Sequence, residues 1–168
     1  MNNLEKKVNL LVSLAITEDF DKRKLIREAL AKEALDEEIG ATSSVENSSK
    51  TAAKIAEEVL QEVGVPVYLT GHERLVTALV LVVQNPSLRR YITSLLYPRI
   101  AAEAGDRVTP SQVERNIRHA IDVAWDRGDL DVFQKYFGNT VSRSRGKPTN
   151  SEFISQLAFH ISRRMEQN

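Results

Sequence analysis

Arg115, Arg118 and His119 fall within one short stretch of the segment TPSQVERNIRHAIDVAWDRG, residues 109–128, with Gln112 ahead of them and Asp122 behind. A guanidinium presents a rigid fork of donors that fits phosphate oxygens or the guanine edge, and imidazole and amide groups can donate or accept. At helical spacing these side chains share one arc. Val113, Ile117, Ala120, Ile121 and Ala124 share the opposite one. A short helix with a buried apolar stripe and an outer row of Arg, Arg and His has the shape needed to read a DNA major groove. The competing reading is that the charged arc serves solubility alone, as it does on most amphipathic helices.

Other chemistry finds little support. The three histidines, His72, His119 and His160, lie on separate elements. They read as a cap or turn residue, a groove-facing residue and a surface residue of the last helix. No H-x-x-x-H pair, nucleophile elbow or phosphate-cradling glycine loop occurs. Cysteine is absent, which excludes disulfides, thiolate metal sites and cysteine nucleophiles and suits a reducing cytoplasm. Catalysis is therefore not expected, and neither is a metal or cofactor.

The elements that must position the Arg/His arc are legible around it. Thr109, Pro110 and Gln112 form a strong helix start: the hydroxyl caps free N–H groups, Pro suits the first position, and Gln closes a capping box. Gly128 is a natural stop. The spacing predicts a helix over 110–127. Before it, Asn85-Pro86 opens a helix running to about Ala104, with Leu88, Ile92, Leu95, Leu96 and Ile100 as its buried row and a kink or break near Pro98. Residues 105–108 make a short turn. A helix, a tight turn containing glycine and a second helix bearing the Arg/His face is the order of a helix-turn-helix.

The rest of the chain reads as helical too. Residues 3–16 and 21–39 form an expected helical hairpin, a 1–39 appendage that either packs on its own domain or self-associates. Residues 40–50, GATSSVENSSK, read as a linker. The main domain is expected over 51–168. Thr51 to Val63 is a helix with Ala52, Ile55, Ala56, Val59 and Val63 inward. Val65 to Thr70 is extended and closed by Gly71, and Glu73 to Gln84 is a very apolar helix surrounded by others. Asp129 to Phe137 is a short helix with Leu130, Phe133 and Phe137 inward. Residues 138–148 form a loop with three basic residues, and a last helix capped at Thr149 carries Phe153, Leu157 and Ile161. The expected class is all-α: a six-helix domain containing a helix-turn-helix, preceded by a short helical appendage.

In 168 residues the 23 basic side chains balance 23 acidic ones, which argues mildly against a nucleic-acid binder. The distribution matters more: residues 88–102 hold Arg89, Arg90 and Arg99 with no acid, and residues 141–147 hold Arg143, Arg145 and Lys147 with none. The longest apolar run, Ala78 to Val83, is far too short to span a bilayer, and no signal-peptide pattern opens the chain.

Read together, LLYPRIAAEAG, SQVERNIRHAIDVAWDRG, FGNTVS and KPTNSEF resemble the C-terminal effector domain of stage zero sporulation protein A, the response regulator that starts endospore formation. The likeness covers roughly Ala52 to Glu166. It implies a six-helix DNA-binding domain whose recognition helix opens at Pro110, domains paired on adjacent sites of double-stranded promoter DNA as a homodimer, and contact with RNA polymerase sigma factors. It implies DNA contacts for Glu114, Arg115, Arg118 and His119, which match the family. At Gln112 the family usually has Arg, so Gln112 is expected to favour adenine or a phosphate. Arg143, Arg145 and Lys147 match in charge a family loop near the DNA backbone. In the sigma-contacting segment Phe137 is retained, whereas Val132 and Gln134 stand where serines are usual. The first 50 residues lack the pattern of a receiver domain, so control by an aspartyl phosphate within this chain is not expected. The expected function is a cytoplasmic, sequence-specific transcription regulator. The alternative is a receiver-less interaction module that pairs with or antagonises a full-length regulator.

Overall fold

A computed structural model describes residues 45–142, 144 and 146–167. The appendage expected at 1–39 lies outside them. The chain divides between Asn47 and Ser48, and apart from residues 45–47 the architecture below is that of the second unit. Among the described residues there are six α-helices and no strand, only an isolated antiparallel bridge between Ser142 and Gly146. None of these helices is long and apolar enough to cross a membrane.

The first helix, α1, occupies 45–63. The linker reading of 40–50 therefore needs correction for 45–50, which are helical; composition alone undervalued how cheaply a helix extends once a packed segment has nucleated it. Ala52, Ile55, Ala56, Val59, Leu60 and Val63 are buried along one side, and half-buried Ser49 continues that side outward.

The second helix, α2, is Thr70–Gln84, and it packs along both the fourth and the last helix. It starts three residues before the expected Glu73, and Gly71, read as the end of an extended piece, lies buried in its first turn. The reason is tertiary. A Cβ on Gly71 would lie 2.1 Å from the Asn116 carbonyl oxygen and 2.6 Å from the Ala120 Cβ, so only glycine lets the two helices cross here. His72, read as a cap or turn residue, is buried beside it.

The single helix expected from Pro86 to Ala104 is three pieces. A 3-10 turn covers Pro86–Arg90, a π turn covers Ile92–Leu96, and α3 is Tyr97–Ala104. The break falls at Tyr91, not near Pro98, because Pro98 sits in the first turn of α3, where its missing N–H costs nothing. The π turn also explains Leu95. Its wider winding advances less per residue, so Ile92 and Leu96 stay on the buried side while Leu95 swings out and is 52% exposed.

The remaining helices are α4, Pro110–Arg127; α5, Leu130–Phe137; and α6, Asn150–Glu166. A 3-10 turn at Gly138–Thr140 follows α5. Phe133, Phe137 and Phe153 stack in sequence through the core, with Trp125 edge-on to Phe133. Leu130, expected inward, is only half-buried, and Tyr136 is buried instead. Tyr136 belongs to a polar cluster: Glu62 of α1 accepts from its hydroxyl, from Lys135 at 3.2 Å and from Arg164 of α6 at 3.0 Å. Burial pushes the Tyr136 hydroxyl well above its usual range, and the Glu62 carboxylate reinforces that shift. His160, read as a surface residue, is half-buried, with Nε2 3.1 Å from the Tyr136 carbonyl oxygen and its ring edge-on to the Tyr136 ring.

Candidate nucleic-acid interface

Local chemistry fixes where α4 begins. The Thr109 hydroxyl accepts from the Gln112 N–H at 3.3 Å, and Gln112 Oε1 accepts from the Thr109 N–H at 2.8 Å, so both halves of the capping box are made. Ahead of it the chain reverses at Gly105, whose φ of 108° favours glycine. Val113, Ile117, Ala120, Ile121 and Ala124 are all buried, as the spacing predicts. The stripe is held from two sides, by α2 through the Gly71 crossing and by α3.

A third tie comes from α6. Asn150 Nδ2 donates to the Glu114 carbonyl oxygen at 3.2 Å and to the Tyr97 hydroxyl at 3.1 Å, which joins α3, α4 and α6 at one point. Burial raises the Tyr97 hydroxyl pKa above its ordinary value, so Tyr97 stays a neutral partner there. The helix-turn-helix pair is thus rigidly seated, which a helix needs if its outer side chains are to meet bases in register.

With the inner stripe buried, the outer arc faces solvent. Gln112, Arg115, Arg118 and His119 are exposed, and Glu114 is half-buried at the edge of the arc. Arg118 pairs with Glu114 one turn back, with its side chain 60% exposed. At the far end Lys147 pairs with Asp122. These pairs are modest in strength because they stand in water. They hold each cation beside the arc and leave part of each head group open to an incoming anion.

The sequence-predicted residues do not all converge. Gln112, Glu114, Arg115, Arg118 and His119 lie together on α4, and Lys147 joins them through Asp122. Gln112 has a double duty: its amide oxygen is committed to the cap, so only its amide N–H groups remain for a ligand. Arg143 and Arg145 lie outside the described residues. Among the residues expected to touch a sigma factor, Phe137 is 3% exposed between Phe133 and Phe153. Its aromatic ring completes the core and is not offered to a partner; Gln134 is exposed and Val132 half-buried.

Sequence reasoning passed over Arg89 and Arg90 as contacts. Both are exposed, and with Arg118 and Lys147 they line a cleft of about 610 Å³ between the Pro86–Leu96 turns, α4 and the start of α6. The acid-free run 88–102 was the available signal. What it lacked was the break at Tyr91, which turns these arginines towards α4.

This geometry of a capped, core-anchored helix behind a tight turn has a counterpart among known proteins. A family model described as the sporulation initiation factor Spo0A C terminal matches residues 56–161. The chain belongs to that family. The match takes in α2 to α5 whole, with the C-terminal part of α1 and most of α6. The family is one of DNA-binding effector domains of a sporulation regulator, not one of enzymes.

Proposed function

We propose that the chain is a transcription regulator that reads duplex promoter DNA in a sequence-specific way by laying the exposed arc of α4 into the major groove. The observation that carries this reading is the exposed Arg115–Arg118–His119 row on a helix whose other side is wholly buried. Arg115 and Arg118 suit bidentate contact to guanine, and Glu114, freed from Arg118, suits cytosine N4. His119 and the free amide N–H groups of Gln112 fit acceptors on bases or phosphates. Lys147, with Arg143 and Arg145 just before it in the sequence, takes the sugar-phosphate backbone, a role that fixes register without reading sequence.

Two copies on adjacent sites would extend the footprint, and a polymerase sigma factor would have to be met through Gln134 and Val132 because Phe137 is in the core. The direct test is a mobility shift with a sporulation promoter duplex against a scrambled duplex of equal composition at physiological salt. A preference of ~10³-fold or more is expected of specific binding. Equal retardation of the two duplexes would sink the proposal.

A further inference from the structure

On the other side of α4 from Lys147, three arginines from three elements meet around a second cleft. Arg74 comes from α2, Arg107 from the turn before α4, and Arg115 from α4 itself; Gln112 and Asn116 complete the wall of a space of about 300 Å³. Among the described residues no carboxylate lines it. Glu73 and Asp106 are neighbours in sequence, and neither reaches the cleft.

Among the described residues none of the three guanidinium groups has an ion-pair partner. The Arg74 Nε is buried with no hydrogen-bond acceptor among the described residues. A buried donor left unmade is costly, and three like charges around one small space repel one another. Both costs are relieved by one anion with several acceptor oxygens. Arginine forks fit the oxygens of a phosphate better than those of any other common anion group except a carboxylate. The N-terminal end of an 18-residue helix, Pro110–Arg127, lies at the same place and adds its positive dipole end.

The location identifies the source of the phosphate. Arg115 and Gln112 belong to both the cleft and the reading arc. A helix lying in a major groove has a sugar-phosphate strand along each flank. We infer that Arg74 and Arg107, beside the base-reading Arg115, form a backbone-phosphate seat at the N-terminal end of α4, gripping the DNA strand opposite the one that passes Lys147. The inference rests on the duplex-reading proposal and adds two contacts to it. The seat carries no base information, so it sets affinity and register and leaves discrimination to the arc.

The test uses the full chain and compares wild type with Arg74→Gln/Arg107→Gln and with Arg107→Gln alone, the second because Arg107 is exposed and its loss leaves the fold intact. Binding to specific and scrambled duplexes is followed as salt is raised. Each lost phosphate contact is expected to flatten the slope of log K against log salt by about 0.9, so by about 1.8 for the pair. The specific-to-scrambled ratio should stay the same. A specific duplex is then rebuilt with single phosphates replaced by neutral methylphosphonates. One or two positions should weaken wild type and leave the double variant untouched. Unchanged slopes, or methylphosphonate losses identical in wild type and variant, would overturn the seat. Failure of wild type to separate the two duplexes would instead overturn sequence reading, and the slope comparison on scrambled DNA would still decide the seat.

Discussion

Replacing Gly71 by alanine sets two effects of opposite sign against each other. Intrinsic propensity favours Ala over Gly in a helix by about 1 kcal/mol, so a sequence-level argument predicts a stabler α2. Packing acts in the reverse direction. The added Cβ would sit 2.1 Å from the Asn116 carbonyl oxygen and 2.6 Å from the Ala120 Cβ, where ordinary contact begins near 3.4 Å. The obstacle is backbone and a Cβ, neither of which can rotate away, so α2 and α4 must part by about 1 Å. Overpacking a close-fitting core typically costs ~1–3 kcal/mol and occasionally more, and this contact belongs at the upper end. A net loss of about 2 kcal/mol should lower the urea midpoint by roughly 1 M for a domain of this size. Equilibrium urea denaturation followed by circular dichroism measures it. Gly105→Ala is the control: no atom lies within 4 Å of its added Cβ, and the cost there comes only from the positive φ. A Gly71→Ala midpoint equal to or above wild type would refute the view that the crossing requires glycine.

Arg118→Ala should cost on the order of 1–3 kcal/mol of specific binding and relax one base position, whereas Lys147→Ala should weaken all duplexes alike and flatten the salt slope; competition binding against singly substituted sites separates the two, and a one-base effect from Lys147→Ala would contradict its backbone role. Glu114→Gln removes the carboxylate paired with Arg118 and should raise affinity for scrambled DNA about fivefold, near 1 kcal/mol, with discrimination falling; a loss of scrambled binding would count against the arc facing DNA. Burial holds His72 below its ordinary 6.5, with Glu57 and Glu73 only partly offsetting it, so the unfolded chain takes up the proton first. Stability is therefore complete above about 6.5 and falls as pH drops below it, and His72→Gln should remove that step from a series of urea midpoints against pH. Burial alone would raise Glu62, but hydrogen bonds from Tyr136, Arg164 and Lys135 prevail and hold it below 4.5; its contribution is present above that value and lost as pH falls further, so Glu62→Gln should flatten the midpoints only in the more acid part of the series.

What could be read from the sequence was whatever is decided by neighbours in the chain. The capping boxes at Thr109/Gln112 and Thr149/Glu152 join residues three apart, and both helices begin where those residues say. The stripe from Val113 to Ala124 follows from periodicity, and so does the exposure of Arg115, Arg118 and His119. Contacts made across the chain left no local trace. Gly71 looks like a stop until Asn116 and Ala120 are placed against it. Leu95 looks buried until the break at Tyr91 and the π turn change the winding. Glu62, Tyr136 and Arg164 come from three helices, and no spacing rule links them. Arg74 and Arg107 lie 33 residues apart, and their meeting at the start of α4 depends on how α2 crosses it.

If α4 reads base sequence through its exposed arc, the full chain must select a defined site. Selection of bound duplexes from a random pool by the full chain tests it most directly, run beside the same selection with Arg118→Ala. One recurrent motif is expected for wild type and, for the variant, the same motif with preference lost at a single base step. A wild-type pool without a motif, or a motif that Arg118→Ala leaves unchanged, would contradict it.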